Sequence, residues 1–146
     1  MHAHTEPIGL QVINTAQLVS SALDIALTAA GGSLGMWRIL VAASGKDQRH
    51  RAHSAFSGAT GVDARTLLDD VHRMEVAGLV RKPDPEHSHE ARLELTEAGR
   101  ALFHRLLRAV VRFDARLRRE LEVEEMVVFS RVLTRLRSNV ASTESG

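Results

Sequence analysis

Arg65 and Thr66 open a segment in which Leu67, Val71 and Met74 recur at i, i+4 and i+7, with Asp63 ahead of it and Gly78 behind it. That pattern predicts an amphipathic helix with Asp63 as its N-cap and Gly78 as its terminator. Arg65 and Thr66 then lie in the first turn, among backbone N–H groups that have no intrahelical partner and favour phosphate. A guanidinium and a hydroxyl in that position can reach base edges, and they are the leading candidates for reading a duplex; the plain alternative for Arg65 is a solvated surface arginine. Arg73, near the end of the helix, has Asp69 or Asp70 as intrahelical partners. Ser54, upstream, can donate to a phosphate or cap a helix. Arg51, Lys82 and Arg92 complete a narrow basic patch.

Imidazoles are the second chemistry on offer. Five of the eight histidines, His50, His53, His72, His87 and His89, fall in the same stretch. An unperturbed imidazole titrates near pH ~6.5, so protonation would add positive charge to this region and strengthen its hold on DNA. The plainer reading is five neutral polar surface residues. His87 and His89 alternate along an extended tip and His50 and His53 are one helical turn apart, but two ligands do not close a metal site and no third is evident. No metal and no cofactor are expected. Cysteine is absent, which removes disulfides, thiolate ligands and thiol redox sensing. No dinucleotide-binding glycine pattern, phosphate loop or metalloprotease helix occurs. Glu124 and Glu125 are adjacent and diverge on a helix, so they cannot share a substrate. No catalytic residue is expected, and the chain does not read as an enzyme.

The elements that must position these side chains follow from periodicity. Ile8 to Ala30 predicts a first helix, which Gly31 and Gly32 end through a left-handed cap. Ser33 then caps a second helix carrying Met36, Trp37, Ile39 and Leu40 inward and stopping near Ser44 and Gly45. A short third helix lies around Ala55, Phe56 and Ala59 and ends at Gly61; with the helix after Asp63 it makes a helix-turn-helix. Leu79 to Arg81 and Arg92 to Leu95 alternate as two short strands around a turn bracketed by Pro83 and Pro85. Thr96 caps a long helix through Leu102, Phe103, Leu106, Leu107, Val110, Val111 and Leu117. A last helix begins near Val123, and Ser138 to Gly146 reads as a frayed polar tail. The fold class is mainly α with a small two-stranded β wing.

At 146 residues one domain is the prior. No apolar run approaches the roughly 20 residues of a membrane helix and no signal peptide is evident, so a cytoplasmic protein without a membrane partner is expected. A net charge of +1 decides nothing about nucleic acid. Aromatic residues at 3% disfavour a stacking platform for single strands and leave duplex binding open.

The order of elements resembles the MarR/SlyA family of winged helix-turn-helix regulators from about Ile8 to about Asn139. Leu34-Gly35-Met36-Trp37-Arg38-Ile39-Leu40 is similar to that family's second helix, and Val71-His72-Arg73-Met74-Glu75-Val76-Ala77-Gly78-Leu79-Val80 to the exit of its recognition helix, where the resemblance implies a phosphate contact for Arg73. Asp84-Pro85 opens the wing and Leu95-Thr96-Glu97-Ala98-Gly99-Arg100 closes it. The resemblance implies residues 8–30 and 96–139 as dimerisation helices around a winged helix-turn-helix lobe at 33–95. It further implies a homodimer addressing a pseudo-palindromic duplex, and a repressor responding to a small aromatic effector. A long helix with an apolar stripe at each end of a small chain supports the dimer, because the chain alone cannot cover both. Met36, Trp37, Leu40, Phe56, His104 and Arg108 are candidates to frame the effector pocket; plain core is the alternative for Trp37 and Phe56. The first helix has no Arg, Trp or Tyr to anchor a phenolic acid.

The sequence departs from that pattern at the wing tip, where His87-Ser88-His89 stands in place of an Asp-x-Arg whose arginine enters the minor groove. His87 and His89 are therefore the candidates for DNA contact there. Asp69 and Asp70 lie on the recognition helix, and residues 46–92 hold eight basic and eight acidic side chains. A neutral lobe forgoes much of the phosphate attraction behind non-specific affinity. The alternative is a MarR-like protein-interaction module with weakened or lost DNA binding. Arg100, Arg105, Arg108, Arg112, Arg116, Arg118 and Arg119 on the long helix, followed by Glu120, Glu122, Glu124 and Glu125, read as a solvated dimer arm rather than a membrane-surface helix.

Overall fold

The computed structural model describes residues 6–44, 64–82 and 93–143. These form α1 (Ile8–Ala29), α2 (Leu34–Ser44), α3 (Ala64–Val76), β1 (Val80–Arg81), β2 (Glu94–Leu95), α4 (Glu97–Leu117) and α5 (Val123–Thr143). The short helix expected around Phe56, the cap at Asp63 and the wing tip lie outside the described residues. The chain divides into two compact units, Met1–Phe113 and Asp114–Gly146.

In the first unit the glycines expected to punctuate the helices do so by geometry. Gly31 takes φ +98° and Gly78 φ +73°, the left-handed conformation that ends a helix without a Cβ penalty. After α1, the N–H of Gly31 donates to Thr28 O and that of Gly32 to Leu27 O; after α3, Gly78 donates to Glu75 O and Leu79 to Met74 O. Both are the paired bonds of a Schellman turn. Gly32 has a further role, because a Cβ there would lie 2.6 Å from a Leu106 methyl.

The unit's core joins Leu27 of α1, Ile39 and Leu40 of α2, Met74 of α3, Val80, Leu95, and Leu102, Leu106 and Ala109 of α4. α2 and α3 contribute the stripes their periodicity predicted, whereas α1 buries Leu27 alone and leaves Ile13, Leu18 and Ile25 exposed, and α4 leaves Leu107, Val111 and Leu117 exposed. The strands pair antiparallel with Val80 opposite Leu95 and Arg81 opposite Glu94. Val80 and Leu95 are buried while Arg81 and Glu94 are exposed, the period-two alternation of a half-buried ribbon.

Thr96 ties this ribbon to α4. Its hydroxyl accepts the Gly99 N–H at 3.0 Å as an N-cap and lies within hydrogen-bonding reach of the carbonyl oxygens of Gly78 and Leu79. Its own N–H donates to Leu79 O at 3.1 Å. The string Leu95-Thr96-Glu97-Ala98-Gly99 is therefore a joint between the end of α3, the wing base and the start of α4. Thr96→Val keeps the shape and removes the hydroxyl; it is expected to lower the unfolding free energy by about 1–2 kcal/mol, read by urea denaturation.

In the second unit, Arg118 pairs with Asp114 at 2.7 Å. Glu120 then takes φ +65°, unlike any other non-glycine among the described residues. Glu122 opens α5, its N–H donating to the Glu125 carboxylate at 2.8 Å, half of a capping box. Glu120→Gly removes the Cβ clash of the left-handed residue and adds freedom to the unfolded chain. The first effect is the larger, and a gain of about 0.5 kcal/mol is expected in the same denaturation assay.

Two expectations are corrected. From Ser138 to Thr143 the tail is not frayed: α5 continues to Thr143, and the Ser142 hydroxyl donates to Ser138 O at 2.9 Å. The N-terminal helix also exceeds what was expected of its apolar character. α1 spans 22 residues with a mean hydropathy of 1.2, long and apolar enough to cross a membrane by length and composition. Its carboxyl end is tied into the first unit at two points. Leu27 is fully buried in the core, and the Asp24 carboxylate accepts the Leu34 N–H of α2 at 2.9 Å.

Candidate nucleic-acid interface

α3 is positioned by three of its side chains. Leu67 and Val71 are half-buried and Met74 is 2% exposed; all three face the core cluster. The opposite side carries Arg65, Asp69, His72 and Val76, at i, i+4, i+7 and i+11, all exposed. These four form a single row along the helix. Thr66 and Arg73 flank it on one side and Leu68 on the other, also exposed. A helix held by one face and showing a cation, a hydroxyl, a carboxylate and an imidazole on the other can enter a major groove, whose edges present donors and acceptors.

The two adjacent aspartates separate. Asp70 is turned inward: one carboxylate oxygen lies 2.8 Å from where a Cβ on Gly35 would stand. It sits over the first turn of α2, whose unpaired N–H groups favour a negative charge. The same turn takes the Asp24 bond already described, and the Ser33 hydroxyl accepts the Met36 N–H at 3.1 Å. The amino end of α2 is thus where α1 and α3 each place a carboxylate. Only Asp69 remains on the outward face of α3.

The basic candidates meet local competitors. Arg73 stands 3.9 Å from Asp70, with 77% of its side chain exposed. Lys82 stands 3.7 Å from Glu75, with 74% exposed. Such exposed pairs are worth under ~1 kcal/mol and yield readily to phosphate. Arg81 is engaged across the ribbon with Glu94 at 3.1 Å. Arg65 has further interactions of its own and an exposed side chain. Arg51, Ser54, His87, His89 and Arg92 lie outside the described residues, as do His50 and His53.

No family model matches the sequence, and no curated protein matches it. Solved structures do match. A MarR/EmrR family transcriptional regulator from Acinetobacter sp. ADP1 superposes with a TM-score of 0.76 at 20% identity, over 92% of this chain and 95% of its own. The fold is that of the MarR family transcriptional regulators. A Mycobacterium tuberculosis MarR family protein in complex with DNA has a TM-score of 0.63 at 22% identity, covering 90% of this chain and 98% of its own. The same mycobacterial protein in complex with salicylic acid has a TM-score of 0.66 at 24% identity, covering 92% and 98%.

Within this MarR fold, five of the residues expected to frame a pocket, Met36, Trp37, Leu40, His104 and Arg108, are among the described residues. Leu40 is fully buried in the core. Met36 and Trp37 are half-buried, while His104 and Arg108 are exposed on α4. Phe56 lies outside the described residues. Trp37 stacks on Phe103 with centroids 5.4 Å apart and planes 6° from parallel, and His104 meets Phe103 edge-on at 5.6 Å. Periodicity places Phe103 in the apolar stripe of α4 and does not mark it as a partner of Trp37. Only the fold brings residues so distant in sequence together. The Asp70 and Gly35 contact was missed for the same reason.

Proposed function

We propose that the chain is a sequence-specific double-stranded DNA-binding transcription regulator with the MarR fold, acting as a homodimer, with α3 in the major groove. The observation that carries this reading is the outward row Arg65, Asp69, His72 and Val76, on a helix whose other face is locked into the core. Asp70, counted with the acids of a neutral lobe, is turned toward the amino end of α2 and away from the outward row. That weakens the reading of a protein-interaction module without DNA binding.

Two apolar surfaces support the homodimer. Ile8, Leu10, Ile13, Leu18 and Ile25 of α1 are exposed, and so are Val123, Val127, Val128, Phe129 and Val140 of α5. Large apolar side chains exposed in such number mark surfaces that a partner covers, and a second copy covers both through a two-fold axis. Two copies of α3 then address half-sites about one helical turn apart, a pseudo-palindrome. The reading includes repression relieved by a small aromatic effector, in keeping with the salicylic acid complex of the mycobacterial structure. Trp37, Phe103 and His104 form an aromatic surface suited to it among the described residues. A cytoplasmic, non-enzymatic protein follows from the same reading.

The test is fluorescence anisotropy of the purified chain on genomic duplex fragments from around its own coding region, repeated at several salt concentrations. A fragment bound at nanomolar to micromolar concentration, with affinity falling steeply as salt rises, is the expected result. Absence of binding to any duplex at low salt, from a folded chain, would leave the protein-interaction module as the better reading.

A further inference from the structure

Asp69 is the one side chain of the outward row that should oppose DNA. It lies between Arg65 and His72, on the side of α3 away from Leu67, Val71 and Met74, and it is exposed. Asp70 one residue later faces α2 and Arg73. Among the described residues no salt bridge or hydrogen bond engages Asp69. It therefore has no structural task in the free protein comparable with that of its neighbour.

A carboxylate carried into a major groove is repelled by phosphates and offers only acceptors. It is tolerated where a base edge supplies a donor. The major groove presents two such groups, the amino groups of cytosine N4 and adenine N6. Beside adenine N6 lies N7, an acceptor that repels the second carboxylate oxygen, whereas cytosine presents its amino group without that neighbour. Guanine O6 and N7 and thymine O4 are acceptors and are rejected.

We propose that Asp69 is a specificity-determining residue that accepts a hydrogen bond from the N4 amino group of a cytosine in each half-site. This rests on the DNA-binding reading above and names what part of the bound sequence must be. Arg65 precedes Asp69 by one helical turn, a rise of about 6 Å, so the two side chains address neighbouring base steps rather than one base pair.

The experiment is selection of bound duplexes from a randomised pool by the full chain and by Asp69→Asn and Asp69→Ala, each variant first checked for an unchanged melting temperature. The wild type is expected to enrich a site with an invariant cytosine in each half, and replacing that cytosine by any other base should weaken binding by about tenfold to a hundredfold. Asparagine offers a donor and an acceptor and matches adenine N6 and N7, so Asp69→Asn should change the preference at that position from cytosine to adenine. Asp69→Ala should lose preference there while keeping it elsewhere. Identical enriched sites for all three proteins would overturn the role of Asp69 and leave DNA recognition standing. Enrichment of no sequence by a folded wild type would overturn both.

Discussion

Gly99→Ala is expected to destabilise the first unit by about 3 kcal/mol or more, enough to leave much of a marginally stable chain unfolded at 37 °C. A Cβ at position 99 would fall well inside van der Waals contact of the Leu79 carbonyl oxygen and 3.0 Å from its carbon. The obstacle is backbone and cannot swing aside as a side chain would. That carbonyl also accepts the Thr96 N–H and lies within reach of the Thr96 hydroxyl, so moving it disturbs the joint between α3, the wing base and α4. Urea denaturation followed by circular dichroism reads the loss. A Gly99→Ala chain as stable as the wild type would show that α4 does not start against Leu79. Gly9→Ala is the control, since nothing lies within 4 Å of a Cβ at that position.

Arg65→Ala is expected to weaken binding to the chain's own DNA site by about tenfold to a hundredfold, the worth of one good contact between arginine and guanine. Its side chain is exposed at the leading turn of α3, so the unfolding free energy should change by less than about 1 kcal/mol. Lys82→Ala provides the contrast. Lys82 stands near Glu75 at the edge of the ribbon, where a phosphate contact would carry affinity without sequence information. Its loss should weaken all duplexes alike and make the salt dependence shallower by about one unit of slope. Anisotropy titrations on the preferred duplex and on a scrambled one separate the two effects. Equal loss on both duplexes for Arg65→Ala would remove it from base readout.

What the sequence made legible was whatever depends on neighbours along the chain. The Schellman ends at Gly31 and Gly78, the caps at Ser33 and Thr96 and the alternation of Val80 with Arg81 are set by residues a few positions apart. Their types follow from local geometry. The inward stripe of α3 was legible for the same reason, and its complement is the outward row. Charge counting did not separate Asp69 from Asp70, because adjacent residues on a helix diverge by about 100° and only the placement of α2 decides which one is used internally. The pairing of Trp37 with Phe103 joins α2 to α4 across 66 positions of sequence. No local rule connects them. α1 was underestimated as an apolar element because its polar residues, Gln11, Asn14, Gln17 and Ser20 among them, interrupt every run while leaving the mean hydropathy high.

Methylation interference on the bound duplex tests the central claim most directly, because methylation at guanine N7 blocks the major groove and little else. If α3 of each copy lies in that groove, methylated guanines should interfere at two clusters on one face of the duplex, about 10 base pairs apart and related by a dyad. Arg65→Ala should lose interference at one guanine in each cluster. Binding that proceeds undisturbed by N7 methylation, or interference confined to a single cluster without its symmetry mate, would contradict the claim that paired copies of this helix read DNA.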